Sequence, residues 1–118
     1  MKKIEAIIRK TKFEEVKDAL YEAGIEFFSF WDGRGVGQAR EGRVYRGIVY
    51  DTSTIERTKL SIIVRDKNVD KTIQAILTSG RTGETGDGKI FIIPIENSYR
   101  IRTGEEGDES LYIKGKEE

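Results

Sequence analysis

Phosphate-binding chemistry is suggested by a glycine-rich turn that ends in a lysine. Residues 82–91 read Thr-Gly-Glu-Thr-Gly-Asp-Gly-Lys-Ile-Phe. Glycines let backbone N–H groups converge on an anion, and Lys89 adds a positive charge. The spacing is not that of a Walker A loop, because no helical pattern follows the lysine. The motif predicts a phosphate site, and the alternative is an ordinary turn before a strand.

Two arginines near the C-terminus offer a second group suited to phosphate. Arg100 and Arg102 lie in a segment that we interpret as extended, which would place both side chains on the same side of the backbone. Two guanidinium groups so placed suit bidentate capture of a phosphate. The alternative for this motif is a solvated or ion-paired strand edge.

Two further patterns lie between residues 33 and 50. The first, Gly-Arg-Gly-Val-Gly-Gln at residues 33–38, offers backbone for the close approach of a ligand, or is a hairpin connection. The second, Tyr-Arg-Gly-Ile-Val-Tyr at residues 45–50, suits insertion into a partner or covalent modification of a tyrosine. The alternative is that Tyr45 or Tyr50 packs the loop onto the body of the domain.

The composition restricts the reaction chemistry. The chain has 118 residues, 21 basic and 21 acidic, with no cysteine and no histidine. Thiolate metal sites, thiol nucleophiles and histidine general bases are therefore excluded, and we predict that the protein is not an enzyme. A net charge of zero does not indicate steering to nucleic acid. The N-terminus lacks the apolar stretch of a signal peptide, so we expect a cytoplasmic protein.

The elements that must position these motifs follow from hydrophobic spacing. Strands are predicted over residues 2–9, 25–32, 58–65 and 90–95, with Ile4, Ala6 and Ile8 on one face of the first. One helix is predicted after Thr11, in a capping box with Glu14, and a second from Asp66 or Asn68 to Gly80. The apolar residues predicted to face the core are Phe13, Val16, Ala19, Leu20 and Ala23 in the first helix. In the second helix they are Val69, Ile73, Ile76 and Leu77.

The order β-α-β-β-α-β predicts an α+β fold of the ferredoxin-like, split βαβ plan, with an antiparallel sheet and helices on one face. We interpret residues 1–118 as a single domain. Its loops would be a long one at about 36–56, a glycine-rich one at about 81–89, and a C-terminal loop and tail at about 98–118. The aromatic cluster at residues 27–31 is interpreted as core plus a subunit interface, with a base-stacking surface as the alternative.

In order and spacing, these motifs resemble the PII family of nitrogen-regulatory signal transducers. The N-terminal Met-Lys-Lys-Ile-Glu-Ala-Ile-Ile is similar to the first strand of that family, and residues 45–50 look like the tip of its T-loop. Residues 82–91 resemble its B-loop, and residues 100–104 resemble its C-loop. The resemblance runs from Met1 to about Gly107, so it covers nearly the whole chain.

The resemblance implies a homotrimer with ATP or ADP in clefts between subunits. The B-loop and Lys89 would hold phosphates, and Arg100 and Arg102 of a neighbouring subunit would complete the clamp. The full set of implied nucleotide-binding residues is Ile7, Ser29, Gly35, Gly37, Gln38, Ile63, Gly86, Asp87, Gly88, Lys89, Phe91, Arg100 and Arg102. Mg²⁺ would accompany ATP with Gln38 as a protein ligand, and 2-oxoglutarate would join through Gln38 and Arg57.

The resemblance also implies how the signal is read out. The T-loop would change shape with the bound ligand and regulate a target, for which an ammonium transporter is the first choice and a nitrogenase or biosynthetic enzyme the alternative. Such a transporter would recruit the protein to the membrane. Tyr50 matches a tyrosine that a uridylyltransferase modifies in some members. The loop is about one residue shorter than the common form, and Arg57, Lys10 and Ser61 replace a lysine, a proline and a carboxylate.

Two other functions stay open at this level. One is a hydrolase on a ferredoxin-like fold, which the missing histidine and cysteine disfavour. The other is a nucleic-acid-binding module with Phe27, Phe28 and Phe30 as a stacking platform, which the zero net charge disfavours.

Overall fold

The structure, a computed structural model, describes residues 1–36, 43–45, 48–50 and 54–113. We number its strands and helices in chain order. They are β1 (Lys2–Arg9), α1 (Phe13–Glu22), β2 (Ser29–Val36), β3 (Arg43–Tyr45), β4 (Ile48–Tyr50), β5 (Thr54–Val64), α2 (Val69–Gly80) and β6 (Lys89–Pro94). Short 3₁₀ turns precede both helices, and a third spans Gly107–Leu111.

Four strands form one sheet in the order β2-β5-β1-β6, and each neighbouring pair is antiparallel. Consequently β1 runs parallel to β2 with β5 between them, and β5 runs parallel to β6 with β1 between them. Each parallel pair is joined through a helix, which is the split βαβ arrangement. The predicted α+β, ferredoxin-like fold is confirmed.

The core lies between the sheet and the two helices. The central strands alternate as predicted: Ile4, Ala6 and Ile8 of β1 are buried, as are Leu60, Ile62 and Val64 of β5. Val16 and Leu20 of α1 and Ile76 of α2 complete this core. Burial of each large side chain contributes roughly 1.5–3 kcal/mol, so the alternation fixes which face of the sheet meets the helices.

The C-terminus of α1 follows the prediction, and its N-terminus does not. Gly24 has φ +84°, and the amide N–H of Ile25 donates to the carbonyl of Leu20 at 2.8 Å, as in a glycine-terminated helix. At the other end, Thr11 lies inside the 3₁₀ turn Lys10–Lys12 and the helix begins at Phe13. The predicted capping box with Glu14 is therefore wrong.

Other predicted boundaries also shift. Strand β2 is Ser29–Val36 rather than 25–32, because Ile25 packs into the core before the strand begins. The predicted long loop at about 36–56 contains the antiparallel pair β3 and β4, and β5 begins within it, at Thr54. Leu77, predicted in the buried stripe of α2, is 37% exposed. Finally, the predicted polar tail includes the 3₁₀ turn Gly107–Leu111.

The face of the sheet opposite the helices, here called the open face, mixes charged and apolar side chains. Strand register places Ile7, Lys59 and Lys89 in one row across it, and Lys3, Ile63 and Ile93 in another. Ile63 is 39% exposed and Phe91 44%, so this face carries apolar area that the helices do not cover.

Candidate functional site

The glycine-rich loop at residues 81–88 is built so that backbone passes very close to the end of β1. Gly88 has φ +97°, and a Cβ at this position would lie 1.7 Å from the carbonyl oxygen of Ile7. No side chain fits there, because both the backbone conformation and the space exclude it. Gly88 therefore fixes where Lys89 enters β6, directly beside Ile7 on the open face.

Asp87 holds the shape of this loop from inside. Its carboxylate accepts hydrogen bonds from the backbone N–H groups of Thr82 and Gly83, both at 2.8 Å, and from the Thr82 hydroxyl at 2.5 Å. The Nε of Arg9 donates to the same carboxylate at 2.9 Å. These donors, the Thr82 hydroxyl first, hold the pKa of Asp87 well below its ordinary value. Asp87 was predicted as a nucleotide-binding residue, and both of its oxygens are engaged within the loop and with Arg9.

A second guanidinium lies next to this loop. Arg57 is the cross-strand partner of Arg9, and a Cβ on Gly86 would lie 3.2 Å from Arg9 Nη2 and 3.4 Å from Arg57 Nη2. Arg57 Nη1 is buried and makes no hydrogen bond to any residue that the structure describes. Burial and then the charge of Arg9 lower the pKa of Arg57. The pair Arg9 and Arg57 against the lone carboxylate of Asp87 leaves a local positive charge that suits an anion.

The C-terminal arginines lie in different surroundings from those predicted. Residues 101–103 form a turn, closed by a 2.7 Å hydrogen bond from the N–H of Gly104 to the carbonyl of Arg100. The extended segment assumed for Arg100 and Arg102 is therefore wrong, since a glycine-containing turn interrupts the chain between residues 100 and 105. Arg102 is exposed and has no hydrogen bond or ion pair with the described residues, whereas Arg100 is half-buried and donates from Nη1 to Glu105 and from Nη2 to the carbonyl of Tyr112.

A pocket of about 320 Å³ lies beside this turn. Arg100 and Arg102 line it together with Ile63. The other lining residues are Phe27, Ser110, Leu111, Tyr112 and Ile113. The pocket is thus an apolar recess with guanidinium groups at its edge, a combination that suits an aromatic ring attached to an anionic group.

The predicted nucleotide-binding residues fall into two groups on the open face. The first group, around Lys89 and Gly88, lies at the row of Ile7. The second, around Arg102 and Ile63, lies at the row of Lys3, because Lys3 pairs with Ile63 in the strand register. Four strand residues separate these rows, which is about 13 Å. Within one chain, the two groups of residues predicted to bind phosphate therefore lie at separate rows of the sheet.

Between the two groups lies an ion-paired row. Glu5 contacts Lys59 at 3.2 Å and Lys3 at 3.5 Å. The hydrogen bond from Lys59, with the charges of both lysines, lowers the pKa of Glu5. The positive charge of these lysines is therefore partly neutralised, and Lys89 is left without an acidic partner among the described residues.

The remaining predicted residues divide into three cases. Ser29 and Phe91 lie on the open face, paired with Ser61 and Glu5, and Gly35 pairs with Ile55 near the Arg57 side chain. Gly37 and Gln38 lie outside the described residues, so the predicted contacts of Gln38 with metal and 2-oxoglutarate stay predictions. The backbone of Tyr50 belongs to β4, paired with Arg43.

Sequence reasoning missed Arg9 and the residues of the C-terminal 3₁₀ turn. Arg9 carried a signal, because it continues the open-face alternation Glu5, Ile7, Arg9 and faces Arg57 once the register is known. Residues 107–113 carried little signal, since a short 3₁₀ turn has neither a strand nor a helix period.

The ferredoxin-like sheet, with its glycine-rich loop and arginine-bearing C-terminal turn, defines a small α+β domain with basic side chains at both ends of its open face. A family model described as nitrogen regulatory protein P-II matches residues 1–105. Curated relatives named nitrogen regulatory protein P-II are 46% identical in Microchaete diplosiphon, 43% in Synechocystis and 41% in Azospirillum brasilense, each over 112 residues, 94% of this chain and all of the relative.

The chain therefore belongs to the nitrogen regulatory protein P-II family. Members are regulatory signal proteins that respond to small-molecule effectors and act on partner proteins, so a role in nitrogen signal transduction follows. In the part of the chain that the structure describes, no helix is long and apolar enough to cross a membrane. The same residues contain no cluster of three acidic side chains able to hold a metal ion.

Proposed function

We propose that this protein is a homotrimeric sensor of ATP and ADP that regulates a target protein through its T-loop. Each nucleotide would lie between two subunits. Lys89 and the 81–88 loop of one subunit would hold phosphates, and Arg102 of the next would approach from the opposite side. Mg²⁺ would arrive with the phosphates of ATP, where Gln38 is the predicted protein ligand.

The observation that carries this proposal is the separation of the two phosphate-binding groups within one chain. They lie about 13 Å apart along the open face, at the rows of Ile7 and Lys3. A second copy that places its Arg102 end against the Lys89 end of the first would complete one cleft. A cyclic trimer would repeat this contact three times and leave no half-site unused.

The exposed apolar side chains of the open face support such an assembly. Ile63, Phe91 and Ile93 lie on this face, and Trp31, 55% exposed, lies at its β2 edge. Burying exposed apolar side chains against another subunit is favourable, so they favour an interaction through this face. Assembly around it would bury these side chains beside the clefts.

The surroundings of Arg57 support 2-oxoglutarate as a third ligand. A carboxylate at this position would supply a partner for the buried Nη1 of Arg57, next to the positive φ of Gly86. A buried N–H group without a partner is costly, so ligand binding would remove that cost. Arg57 is also the residue of β5 at which the sheet narrows towards the T-loop, which would couple the ligand to the loop.

A mixing experiment tests the cleft between subunits. Homotrimers of Lys89→Ala and of Arg102→Ala should each bind ATP roughly 10–100-fold more weakly than wild type, because each lacks one charged phosphate contact per cleft. Trimers containing both variants regain one intact cleft, so titration calorimetry should detect tight sites again. Lys17→Ala, an exposed lysine of α1 on the other side of the sheet, is the matched control and should bind like wild type.

Three results would contradict the proposal. Wild-type protein that binds neither ATP nor ADP at 1 mM would exclude a nucleotide sensor. Mixed trimers without tight sites would exclude a cleft shared between subunits. A monomer by size-exclusion chromatography with light scattering would exclude both.

The target is tested with the T-loop itself. An ammonium transporter should bind the wild-type protein and release it on a change between ADP and Mg-ATP with 2-oxoglutarate, and Tyr50→Ala should bind nucleotide normally but bind the transporter less well. Capture of a nitrogenase or a biosynthetic enzyme under the same ligand control would support the alternative target. Labelling of Tyr50 by a uridylyltransferase would identify it as a modification site.

A further inference from the structure

Beyond the end of β1, strands β2 and β5 continue as a pair. Strand β1 ends at Arg9, and past this point residues 34–36 of β2 pair, among the described residues, only with residues 54–56 of β5. We call these three pairs the extension. Gly33 and Gly35 leave β2 with few side chains here that could pack against the body of the domain. The direction of the extension must therefore be fixed by contacts at its base.

On the helix face, the last row shared by β1, β5 and β2 contains a buried hydrogen bond. Thr58 lies between Ile8 of β1 and Asp32 of β2 and is 1% exposed. Its hydroxyl donates to the carboxylate of Asp32 at 2.9 Å. A buried hydroxyl requires an acceptor, and a charged acceptor makes the stronger bond. This bond therefore ties β2 to the body of the domain directly before Gly33.

A lysine reaches the same carboxylate from the 3₁₀ turn after β1. The Nζ of Lys10 lies 3.9 Å from Oδ2 of Asp32, and both side chains are about half exposed. Exposed ion pairs contribute little to stability, so Lys10 restrains Asp32 less than Thr58 does. Lys10 and Asp32 border a pocket of about 210 Å³ that Arg34 and Glu56, the first pair of the extension, also line. The whole group thus lies at the base of the extension.

We infer that Asp32 is a latch that fixes the direction in which the extension leaves the sheet. Backbone pairing keeps β2 beside β5, but it does not fix the direction of the pair relative to the helices. The bond to Thr58 does so, on the face of the sheet opposite Arg57. Without it, the nearest side chain of β2 anchored on the helix face is Phe30, whose ring centre lies 4.5 Å from that of Phe13.

Hydrogen exchange, measured without nucleotide, tests the latch. Asp32→Ala and Thr58→Val both remove the bond, so amides of residues 34–36 and 54–56 should exchange about tenfold faster in each variant. The double variant should exchange no faster than the single variants, because both changes remove the same bond. Asp18→Ala, at an exposed aspartate of α1, is the matched control and should exchange like wild type.

The Tm separates a latch from a contact that only stabilises the fold. Asp32→Ala leaves the buried hydroxyl of Thr58 without an acceptor, so its Tm should fall. Thr58→Val removes the hydroxyl itself, so its Tm should stay close to that of wild type although the extension is released. Asp32→Asn keeps an acceptor oxygen and should exchange like wild type. Lys10→Ala should speed exchange by less than about threefold.

Distances between spin labels measure the direction of the extension itself. The chain has no cysteine, so Tyr21→Cys on α1 and Val36→Cys at the end of the extension can carry two labels without background. Both side chains are 63% exposed in the unlabelled protein. An excess of unlabelled chains keeps labelled pairs in separate assemblies. Over an extension of about 10 Å, a change in direction of about 20° displaces residue 36 by about 3 Å, so the distance distribution should broaden by about that much in Thr58→Val.

Two results would overturn the inference. Exchange in the extension and a distance distribution that both stay at wild-type values in Thr58→Val would show that the bond does not fix the direction. Faster exchange spread equally over β1 would show general destabilisation instead of a local latch. Neither measurement requires a ligand, so wild-type protein that binds neither ATP nor ADP would remove the proposed function and leave this inference standing.

Discussion

Replacement of Gly88 by alanine should disrupt the glycine-rich loop more than any other single methyl group added to it. Two costs combine at this position. The φ of +97° is one that side chains with a Cβ rarely adopt, which costs about 1–3 kcal/mol. The new Cβ would also lie 1.7 Å from the Ile7 carbonyl oxygen, a backbone atom within a paired strand, and forcing such an overlap adds about 1–3 kcal/mol. We expect a loss of about 3–5 kcal/mol.

Two other glycines of this chain separate these costs. Gly83 has φ +89° and no neighbour within 4 Å of an added Cβ, so Gly83→Ala should lose about 1–3 kcal/mol from the conformation alone. Gly33 has equally open space and no positive φ, so Gly33→Ala should change stability by less than about 0.5 kcal/mol. Urea unfolding at one protein concentration measures all three, because the stability of an oligomer depends on concentration.

Nucleotide affinity gives the second measurement for this series. Gly88→Ala displaces the entry of Lys89 into β6, so ATP should bind at least tenfold more weakly, while Gly33→Ala should bind normally. If Gly88→Ala were as stable as Gly83→Ala and bound ATP like wild type, the close approach of Gly88 to Ile7 would contribute neither to stability nor to binding. That result would refute the prediction.

Three further predictions concern charge and packing. The Thr82 hydroxyl and Arg9 hold the pKa of Asp87 low, so the ionised carboxylate stabilises the fold fully above the ordinary aspartate pKa of about 3.9 and loses this effect as the pH falls. Asp87→Asn should therefore lower the Tm at pH 7, and the difference from wild type should shrink below about pH 4. Equal Tm values at pH 7 would contradict this. Arg57→Met should leave the Tm unchanged or raise it, because it removes the buried Nη1 that has no partner among the described residues. The same variant should weaken 2-oxoglutarate binding in calorimetry, and a large fall in Tm would show that Arg57 stabilises the fold. Leu20→Ala should cost about 2–5 kcal/mol in urea unfolding and its exposed neighbour Tyr21→Ala under about 1 kcal/mol, and similar losses would contradict the assignment of the core.

The sheet and its core could be predicted from the sequence because their signal is local and repeated. Ile4, Ala6 and Ile8 alternate with charged and partly exposed neighbours. Because alternate residues of a strand lie on opposite faces, this pattern identifies the buried face. The C-terminus of α1 was equally predictable, since Gly24 takes a conformation that few other residues adopt. The start of α1 was not, because Thr11 fits a capping box as well as the 3₁₀ turn it occupies.

For the candidate site, the sequence supplies a set of predicted residues but not their geometry. The spacing of Gly86, Gly88 and Lys89 predicts a phosphate loop. Only the structure shows that Gly88 lies against the carbonyl of Ile7, and that Ile63, which shares a pocket with Arg102, lies four residues along β1 from the row of Lys89. The contacts of Arg100 were hidden for the same reason. Besides the carboxylate of Glu105, its acceptors are the backbone carbonyls of Glu109, Ser110 and Tyr112, and residue type does not show which carbonyls accept a hydrogen bond.

The long pairing of β2 with β5 has a mechanical consequence. Strand β1 ends at Arg9, opposite Arg57, while β2 and β5 continue for three more pairs to Val36 and Thr54. Those pairs form a two-stranded arm of about 10 Å, and two-stranded ribbons twist more freely than wider sheets. A rotation of about 10° at Arg57 would move the far end of such an arm by roughly 2 Å. An anion held at the pivot can in this way act on a distant surface with no contact of its own there.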